Sequence, residues 1–96
     1  MKIGIPKEPE AEKRVAMVPD VIPKLTKNGF EIVVEDGLGN SAGFSNEEYS
    51  VKGANVTTRN EVMDSEIIMS ISKLARLLVF VQGNVHEIHF RIKHIN

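Results

Sequence analysis

Apolar positions in the first three quarters of the chain switch repeatedly between strand spacing and helix spacing. The segment at residues 2–5 holds Ile3 and Ile5 with Gly4 between them and stops at Pro6, which predicts a short strand. FEIVVE at 30–35 and EIIMSI at 66–71 are almost continuously apolar and rich in β-branched residues, which is typical of strands buried on both faces of a parallel sheet. A further short strand is expected at residues 55–57.

Helix signals fill the intervals between these strands. Pro19 and Asp20 are favourable first-turn residues, and Gly29 stands where a left-handed helix end is expected, so a helix is predicted over residues 20–28. Ser45 and Glu48 form the S-x-x-E pattern of a capping box, which predicts a second helix from Ser45 to about Lys52, with Gly53 as its stop.

Two weaker signals complete the element order. Phe44 and Tyr49 are spaced as a hydrophobic staple around the second helix start, and Thr58 with Glu61 predicts a third, short helix. Strands that alternate with helices indicate a parallel sheet with right-handed crossovers. We therefore predict an α/β fold, an open Rossmann-like layer with a mainly parallel sheet.

The segment at 37–43, Gly-Leu-Gly-Asn-Ser-Ala-Gly, matches the G-x-G-x-x-A outline of a pyrophosphate-binding loop. Such a loop requires a helix that begins inside the motif, with its N-terminus facing the phosphates. Here the capping box delays the helix to Ser45. We favour a β–α turn whose glycines permit positive φ, and assign no cofactor-binding residue.

Composition and charge narrow the classes of function. The 96 residues suit one small domain, and the formal charge of −1 provides no field that would attract nucleic acid or anionic lipid. No apolar run approaches the ~20 residues that span a bilayer, and the N-terminus has no signal-peptide core. With no cysteine, the chain fits a cytoplasmic location.

The last 24 residues differ in kind from the rest. Residues 1–72 carry eight basic and twelve acidic side chains, a net of −4, whereas residues 73–96 carry four basic and one acidic, a net of +3. The runs at 77–81 and 86–95 flank Gln82-Gly83-Asn84, which favours a hairpin, although the leucines near residue 77 also fit helical spacing.

All three histidines lie in this tail, at His86, His89 and His94, close to Glu87. On a strand His86 and His89 point to opposite faces, so we favour solvated histidines over a metal site and assign no metal ligand. No aromatic platform accompanies the basic residues, so nucleic-acid binding is not expected.

Four stretches in this order resemble one family: KIGIPKE, KRVAMVPD, LTKNGFEIVVEDGLG and FSNEEYSVKGA. They are similar to the N-terminal domain of the alanine dehydrogenase and NAD(P) transhydrogenase α-subunit family. The resemblance covers residues 1 to about 71 and is closer to the transhydrogenase side. It divides the chain into an incomplete domain at 1–72 and a divergent tail at 73–96, which we interpret as foreign sequence joined by a frameshift or gene-end error.

The resemblance implies the N-terminal fragment of a proton-translocating NAD(P)+ transhydrogenase α subunit, which transfers hydride between NAD(H) and NADP(H). NAD and NADP would be cofactors of the intact enzyme, with none expected for this fragment, which is expected to be inactive alone. Its partners would be the remaining subunits or domains, or a second copy in a homodimer, and other segments would attach the enzyme to the inner membrane. An NAD-dependent alanine dehydrogenase fragment and a non-catalytic binding or assembly module are the alternatives.

Arg14 is the only site residue that the resemblance suggests, and no catalytic residue is assigned. In the dehydrogenase branch the arginine of the R-V-A motif binds the substrate carboxylate, which a guanidinium fork matches in two parallel bonds. The alternative is that Arg14 anchors its own loop by pairing with Glu10 or Glu12. The partner lysine of that branch is replaced here by Ser70, with Lys73 three residues later, which counts against an alanine dehydrogenase site.

Overall fold

The computed structural model describes residues 1–9, 12–71, 76–81 and 88–91. Over these residues the strands are β1 Lys2–Ile5, β2 Glu31–Glu35, β3 Asn55–Thr57, β4 Ile67–Ile71, β5 Arg76–Val81 and β6 Ile88–Arg91. The α-helices are α1 Ile22–Thr26, α2 Asn46–Val51 and α3 Arg59–Met63, and 3-10 turns occupy Pro19–Val21 and Asn40–Ala42. This order confirms the predicted alternation of strands and helices.

The strands form one sheet in the order β3-β2-β1-β4-β5-β6. Strands β1 to β4 run parallel, with Ile3 opposite Ile32 on one side and Ile67 on the other. Strands β5 and β6 are added antiparallel at one end. The α/β class and the mainly parallel sheet are therefore as predicted.

Helices cover both faces of the parallel part. Gly4 faces α3 so closely that a Cβ atom there would lie 2.3 Å from the carbonyl oxygen of Val62. Because side chains alternate across a strand, Ile3 and Ile5 point to the opposite face. There they pack in one buried cluster with Ile22, the first residue of α1, and other apolar residues. The sheet is thus the middle layer, as a parallel sheet requires.

The first helix is shorter than the predicted span of 20–28. Its entry is a 3-10 turn, in which the N–H of Ile22 bonds to the oxygen of Pro19, because Pro23 has no N–H to start an α-helical ladder. Its end is as predicted: Gly29 has φ of 91°, and the N–H of Phe30 returns to the oxygen of Leu25 at 3.1 Å.

The second helix has the predicted caps. The hydroxyl of Ser45 accepts the Glu48 N–H at 3.1 Å, and the Glu48 carboxylate accepts the Ser45 N–H at 3.1 Å. The rings of Phe44 and Tyr49 meet edge-on at 6.4 Å, as the staple predicts. Tyr49 is fully buried, and its hydroxyl donates to the oxygen of Met17 at 2.8 Å, which ties α2 to the segment after Arg14.

Strands β5 and β6 pair antiparallel, with Leu77 opposite Phe90, so the backbone has the predicted hairpin pairing and the helical alternative at 76–81 is wrong. The predicted turn at 82–84 lies outside the described residues, as do His86, Glu87 and His94. His89 is described only by its backbone position in β6.

Candidate functional site

The topology identifies one edge of the sheet as the candidate site. The chain proceeds from β1 to β2 and β3 on one side, then returns to place β4 on the other side of β1. In open α/β sheets ligands bind outside the carboxyl ends of the strands where the order reverses in this way. The switch point here lies between β1 and β4, and the loop after β1 overlies it.

That loop is fastened to the strands on both sides of β1. The backbone N–H of Lys7 donates to Glu35 Oε1, at the end of β2, at 2.8 Å. The next residue, Glu8, reaches the other way, and its Oε2 accepts the N–H of Ile71, at the end of β4, at 2.8 Å. Two consecutive residues therefore fix the loop across the switch point.

Arg59 joins the same polar cluster from the first turn of α3. Its Nη1 donates to Glu35 Oε1 at 3.0 Å and lies 3.4 Å from the carbonyl oxygen of Lys7. Glu35 Oε1 therefore accepts both from the loop backbone and from Arg59. The carboxyl ends of β1 and β2 and the start of α3 are held together by this one carboxylate.

A groove of about 630 Å³ opens beside this cluster. Its wall is apolar where β4 and β5 pass under it, since Ile68 and Phe80 are register partners. Its rim is charged, with Lys7 and Glu8 on the loop after β1 and Arg59 on α3. The lining consists of Pro6, Lys7, Glu8, Pro9, Arg59, Met63, Ile68, Ser70, Phe80 and Val81.

The half-buried position of Glu8 perturbs its acidity. Burial raises the pKa of the Glu8 carboxyl above its usual range, and the nearby Glu12 charge raises that pKa further. The bond from Ile71 and the positive charge of Arg59 lower the pKa, but burial is the largest effect. Glu8 is therefore a carboxylic acid with a raised pKa at the switch point. Perturbed pKa values are common among functional groups.

Arg14 lies on the same loop but is not among the residues that line the groove. Its Nε donates to Glu12 Oε1 at 2.6 Å, and its Nη2 donates to Glu12 Oε2 at 2.8 Å. The Glu12 carboxylate also accepts the backbone N–H of Arg14 at 2.9 Å. The side-chain bond from Arg14 lowers the pKa of Glu12. Arg14 is thus paired with one of the two carboxylates that the sequence offers as partners.

Ser70 lines the groove together with Glu8, whereas Lys73 lies outside the described residues. Ser70 therefore lines the groove, and Arg14 does not. The residues that sequence reasoning missed are Glu8, Glu35 and Arg59. The role of these three residues can be recognised only once the strand order is known, because their contacts join residues 24 to 63 positions apart.

Backbone N–H groups of the glycine-rich loop donate to oxygen atoms of the protein itself. The N–H of Gly37 donates to Asn46 Oδ1 at 2.9 Å, and Asn46 Nδ2 donates to Asp36 at 2.6 Å. The N–H of Phe44 returns to the oxygen of Gly39 at 2.8 Å. A phosphate cradle needs such donors directed outward. The hydrogen bonds support the turn interpretation, and α2 begins at Asn46, beyond the motif, as predicted.

Steric contacts also account for the glycines. Gly37 and Gly43 have φ of 82° and 86°, a region that L side chains avoid. A Cβ atom on Gly39 would lie 2.6 Å from Cβ of Phe44 and 2.9 Å from the Tyr49 ring. These positions need glycine for the turn and for packing on α2.

Two further properties concern the described residues only. Within them no cluster of three or more side chains suited to metal coordination occurs. None of the helices among them has the length and apolar character needed to cross a bilayer.

The strand order and the helices on both faces of the sheet define a Rossmann-like α/β domain. A family model described as alanine dehydrogenase/PNT, N-terminal domain, matches residues 4–92. The chain therefore belongs to the alanine dehydrogenase/PNT N-terminal domain family. The match to the family model extends through β5 and β6, past the boundary expected at residue 72. The division of the chain into a domain at 1–72 and a tail at 73–96 remains a prediction.

Individual relatives agree with this assignment. The chain is 39% identical over 75 residues to an alanine dehydrogenase of Bacillus subtilis, covering 76% of this chain and 20% of that protein. It is 31% identical over 74 residues to alanine dehydrogenase 1 of Staphylococcus aureus, with the same coverage of 76% and 20%. The chain thus spans about a fifth of the length of these relatives.

Solved structures from both branches of the family are similar. An L-alanine dehydrogenase superposes with a TM-score of 0.71 and 30% identity, covering 74% of this chain and 20% of that one. The transhydrogenase from Sinorhizobium meliloti superposes with a TM-score of 0.69 and 33% identity, covering 74% and 22%. The fold therefore does not separate the two branches.

Proposed function

We propose that this chain is the leading part of the N-terminal domain of an NAD(P) transhydrogenase α subunit. The whole enzyme would transfer hydride between NAD(H) and NADP(H) and couple the transfer to proton movement across a membrane. One observation carries the choice of branch: both donors on one side of the Arg14 guanidinium are bonded to Glu12, a residue of its own loop.

A guanidinium offers carboxylates two pairs of parallel donors: Nε with one terminal nitrogen, and the two terminal nitrogens together. Glu12 takes the pair formed by Nε and Nη2, and its own N–H donates to the oxygen of Pro9 at 2.8 Å. Arg14 then holds the loop in shape, as expected in a branch with no amino-acid substrate.

Nucleotide binding and hydride transfer would be performed by the rest of the enzyme, since the resemblance implies that the family's dinucleotide fingerprint belongs to a second domain. The 96 residues would supply scaffold layers and the switch-point edge. The remaining transhydrogenase subunits or domains would be the partners, and a cytoplasmic position of this part, with membrane attachment through other segments, belongs to the same proposal.

An alanine dehydrogenase is the second candidate, because the Bacillus subtilis enzyme is 39% identical over the matched part. In that case Arg14 would exchange Glu12 for the carboxylate of an amino acid or an oxo acid. The side chain of Arg14 is 35% exposed, so a small carboxylate has access to it. Ser70, in place of the branch's lysine, would leave this site one positive charge weaker.

A segment exchange separates the two candidates. Residues 1–71 replace the matching segment in the Sinorhizobium meliloti transhydrogenase and in the Bacillus subtilis alanine dehydrogenase, each also with Arg14→Ala. We expect the transhydrogenase chimera to transfer hydride and the dehydrogenase chimera, although folded by circular dichroism, to lose alanine oxidation. An active dehydrogenase chimera that Arg14→Ala inactivates would overturn the proposal, as would a folded but inactive transhydrogenase chimera.

A ligand titration gives an independent answer on the chain itself. Pyruvate is added while the Nε–H signal of Arg14 is followed by NMR, with Glu12→Gln as the variant that weakens the internal pair. We expect the Arg14 signal of the unmodified chain to stay in place, because Glu12 is tethered two residues away and has a high local concentration. Saturable movement at millimolar pyruvate would favour the dehydrogenase function.

A further inference from the structure

The bond between Glu8 and Ile71 connects parts of the chain that are 63 positions apart. It is a side-chain contact across the switch point, where the backbone ladder between β1 and β4 pairs only Ile3 with Ile67 and Gly4 with Ile68. Strand β1 ends at Ile5, one residue beyond that pairing, whereas β4 continues to Ile71. The Glu8 side chain therefore connects the loop after β1 to the part of β4 beyond their register pairs.

From Glu8 the connection continues to Arg14 through short contacts. The Glu12 N–H donates to the oxygen of Pro9 at 2.8 Å, and Arg14 donates to Glu12 through its backbone and its side chain. The rings of Pro6 and Pro9 fix φ on either side of Glu8 and so restrict the loop. Anchoring Glu8 therefore restricts where the Glu12–Arg14 pair is placed.

We propose that Glu8 is a positioning residue, whose carboxylate fastens the loop after β1 to the end of β4 and so holds the Glu12–Arg14 pair of the same loop in place. This role does not depend on which of the two reactions the whole enzyme performs. It assigns a purpose to the bond between Glu8 and Ile71.

Electrostatics indicates why the residue is an acid. A glutamine oxygen in the same place would accept the Ile71 N–H without placing a charge in a half-buried site. The ionised carboxylate instead faces Glu12 from its own loop, while Arg59 of α3 partly balances the charge. A group that costs stability where a neutral group would suffice is typical of functional positions. An ionised acceptor also makes the stronger bond.

The sign of the pH effect follows from the raised pKa of Glu8. A carboxyl whose pKa is higher in the folded chain than in the unfolded chain favours folding when it is protonated. That contribution is complete below the unfolded pKa and is lost as the pH rises through the folded pKa. The Ile71 bond changes in the opposite sense, because it is strongest when Glu8 is ionised.

The test uses the complete 96-residue chain with Glu8→Gln, Glu8→Ala and, as a matched control on the exposed side of α2, Glu47→Gln. The amide signal of Ile71 is followed by NMR between about pH 3 and pH 8, a range that brackets carboxyl titration. In the unmodified chain and in the control we expect the Ile71 proton to shift with a midpoint above 4.5, the ordinary value for this carboxyl. In Glu8→Gln that titration should vanish.

Hydrogen exchange then tests positioning. We expect Glu8→Ala to speed exchange at the Ile71 amide about tenfold, the change that loss of one charged hydrogen bond produces. Exchange at the Arg14 Nε–H should also become faster, because the loop that carries the Glu12–Arg14 pair is released. Glu8→Gln should restore most of the protection at both sites. An Ile71 titration that persists in Glu8→Gln would overturn the proposal, and so would unchanged Arg14 exchange in Glu8→Ala. The segment exchange above is unaffected by either result, so the two proposals fail separately.

Discussion

Removing one oxygen atom from the buried side of α2 tests how the fold holds the segment after Arg14. In Tyr49→Phe the ring stays against Phe44, so the perturbation is confined to the hydroxyl that donates to Met17 at 2.8 Å. Tyr49 is fully buried and Met17 is 4% exposed, so water does not replace the lost donor. Loss of a buried hydrogen bond that leaves one partner unpaired costs about 1–2 kcal/mol.

A cost of that size is easily measured in a domain of this length. Each kcal/mol lowers the melting temperature by roughly 4–8 °C in a domain of 60–100 residues. Urea unfolding gives the same free energy through the midpoint, provided that the m-value is unchanged. Ser50→Ala is the matched control, since it removes a hydroxyl from an exposed position of the same helix and is expected to change stability by less than about 0.5 kcal/mol. A Tyr49→Phe variant as stable as the control would refute the reasoning.

Three other predictions concern a close packing contact, a helix cap and an ion pair. Gly4→Ala places a Cβ atom 2.3 Å from the Val62 oxygen and is expected to cost about 1–3 kcal/mol in urea unfolding; an unchanged midpoint would contradict the packing of α3 on β1. Ser45→Ala removes the acceptor for the Glu48 N–H and is expected to cost about 0.5–2 kcal/mol, whereas equal stability would show that α2 needs no cap. Because the side-chain bond from Arg14 lowers the pKa of Glu12 below 4.5, the stability from this pair is present above the unfolded pKa and is lost as the pH falls through the folded pKa. The urea midpoints of Glu12→Gln and of the unmodified chain should differ at about pH 7 and move together as the pH is lowered through the acid range, and a difference that does not shrink in acid would contradict this.

Local chemistry made the helices and strands predictable from the sequence. The ends of α1 and α2 depend on signals a few residues long: Gly29 with Phe30, the box of Ser45 and Glu48, and Gly53 with φ of 108°. The length of α1 was overestimated because the periodic apolar pattern continues through a first turn that Pro23 converts to 3-10 geometry. Such signals act within one turn, which is why they can be read without knowing the fold.

The candidate site could be predicted only in part, because its contacts are long-range. Arg14 and its partner Glu12 are two residues apart, so their pairing was among the alternatives that the sequence offered. The contact of Glu8 with Ile71 depends on β4 lying beside β1, and alternating elements do not specify strand order. The groove wall also includes β5, whose antiparallel addition follows from its pairing with β4.

Calorimetric titration of NADH into the 96-residue chain, with the amide signals of Gly37 and Gly39 followed in parallel, tests the central claim most directly. The chain is proposed to supply scaffold and a switch-point edge, and the N–H groups of Gly37, Asn40, Ala42 and Gly43 in the glycine-rich loop are bonded internally. We predict no saturable heat at micromolar NADH and no movement of either glycine signal. Saturable heat accompanied by shifts at Gly37 and Gly39 would show that the loop binds the nucleotide and would contradict the account.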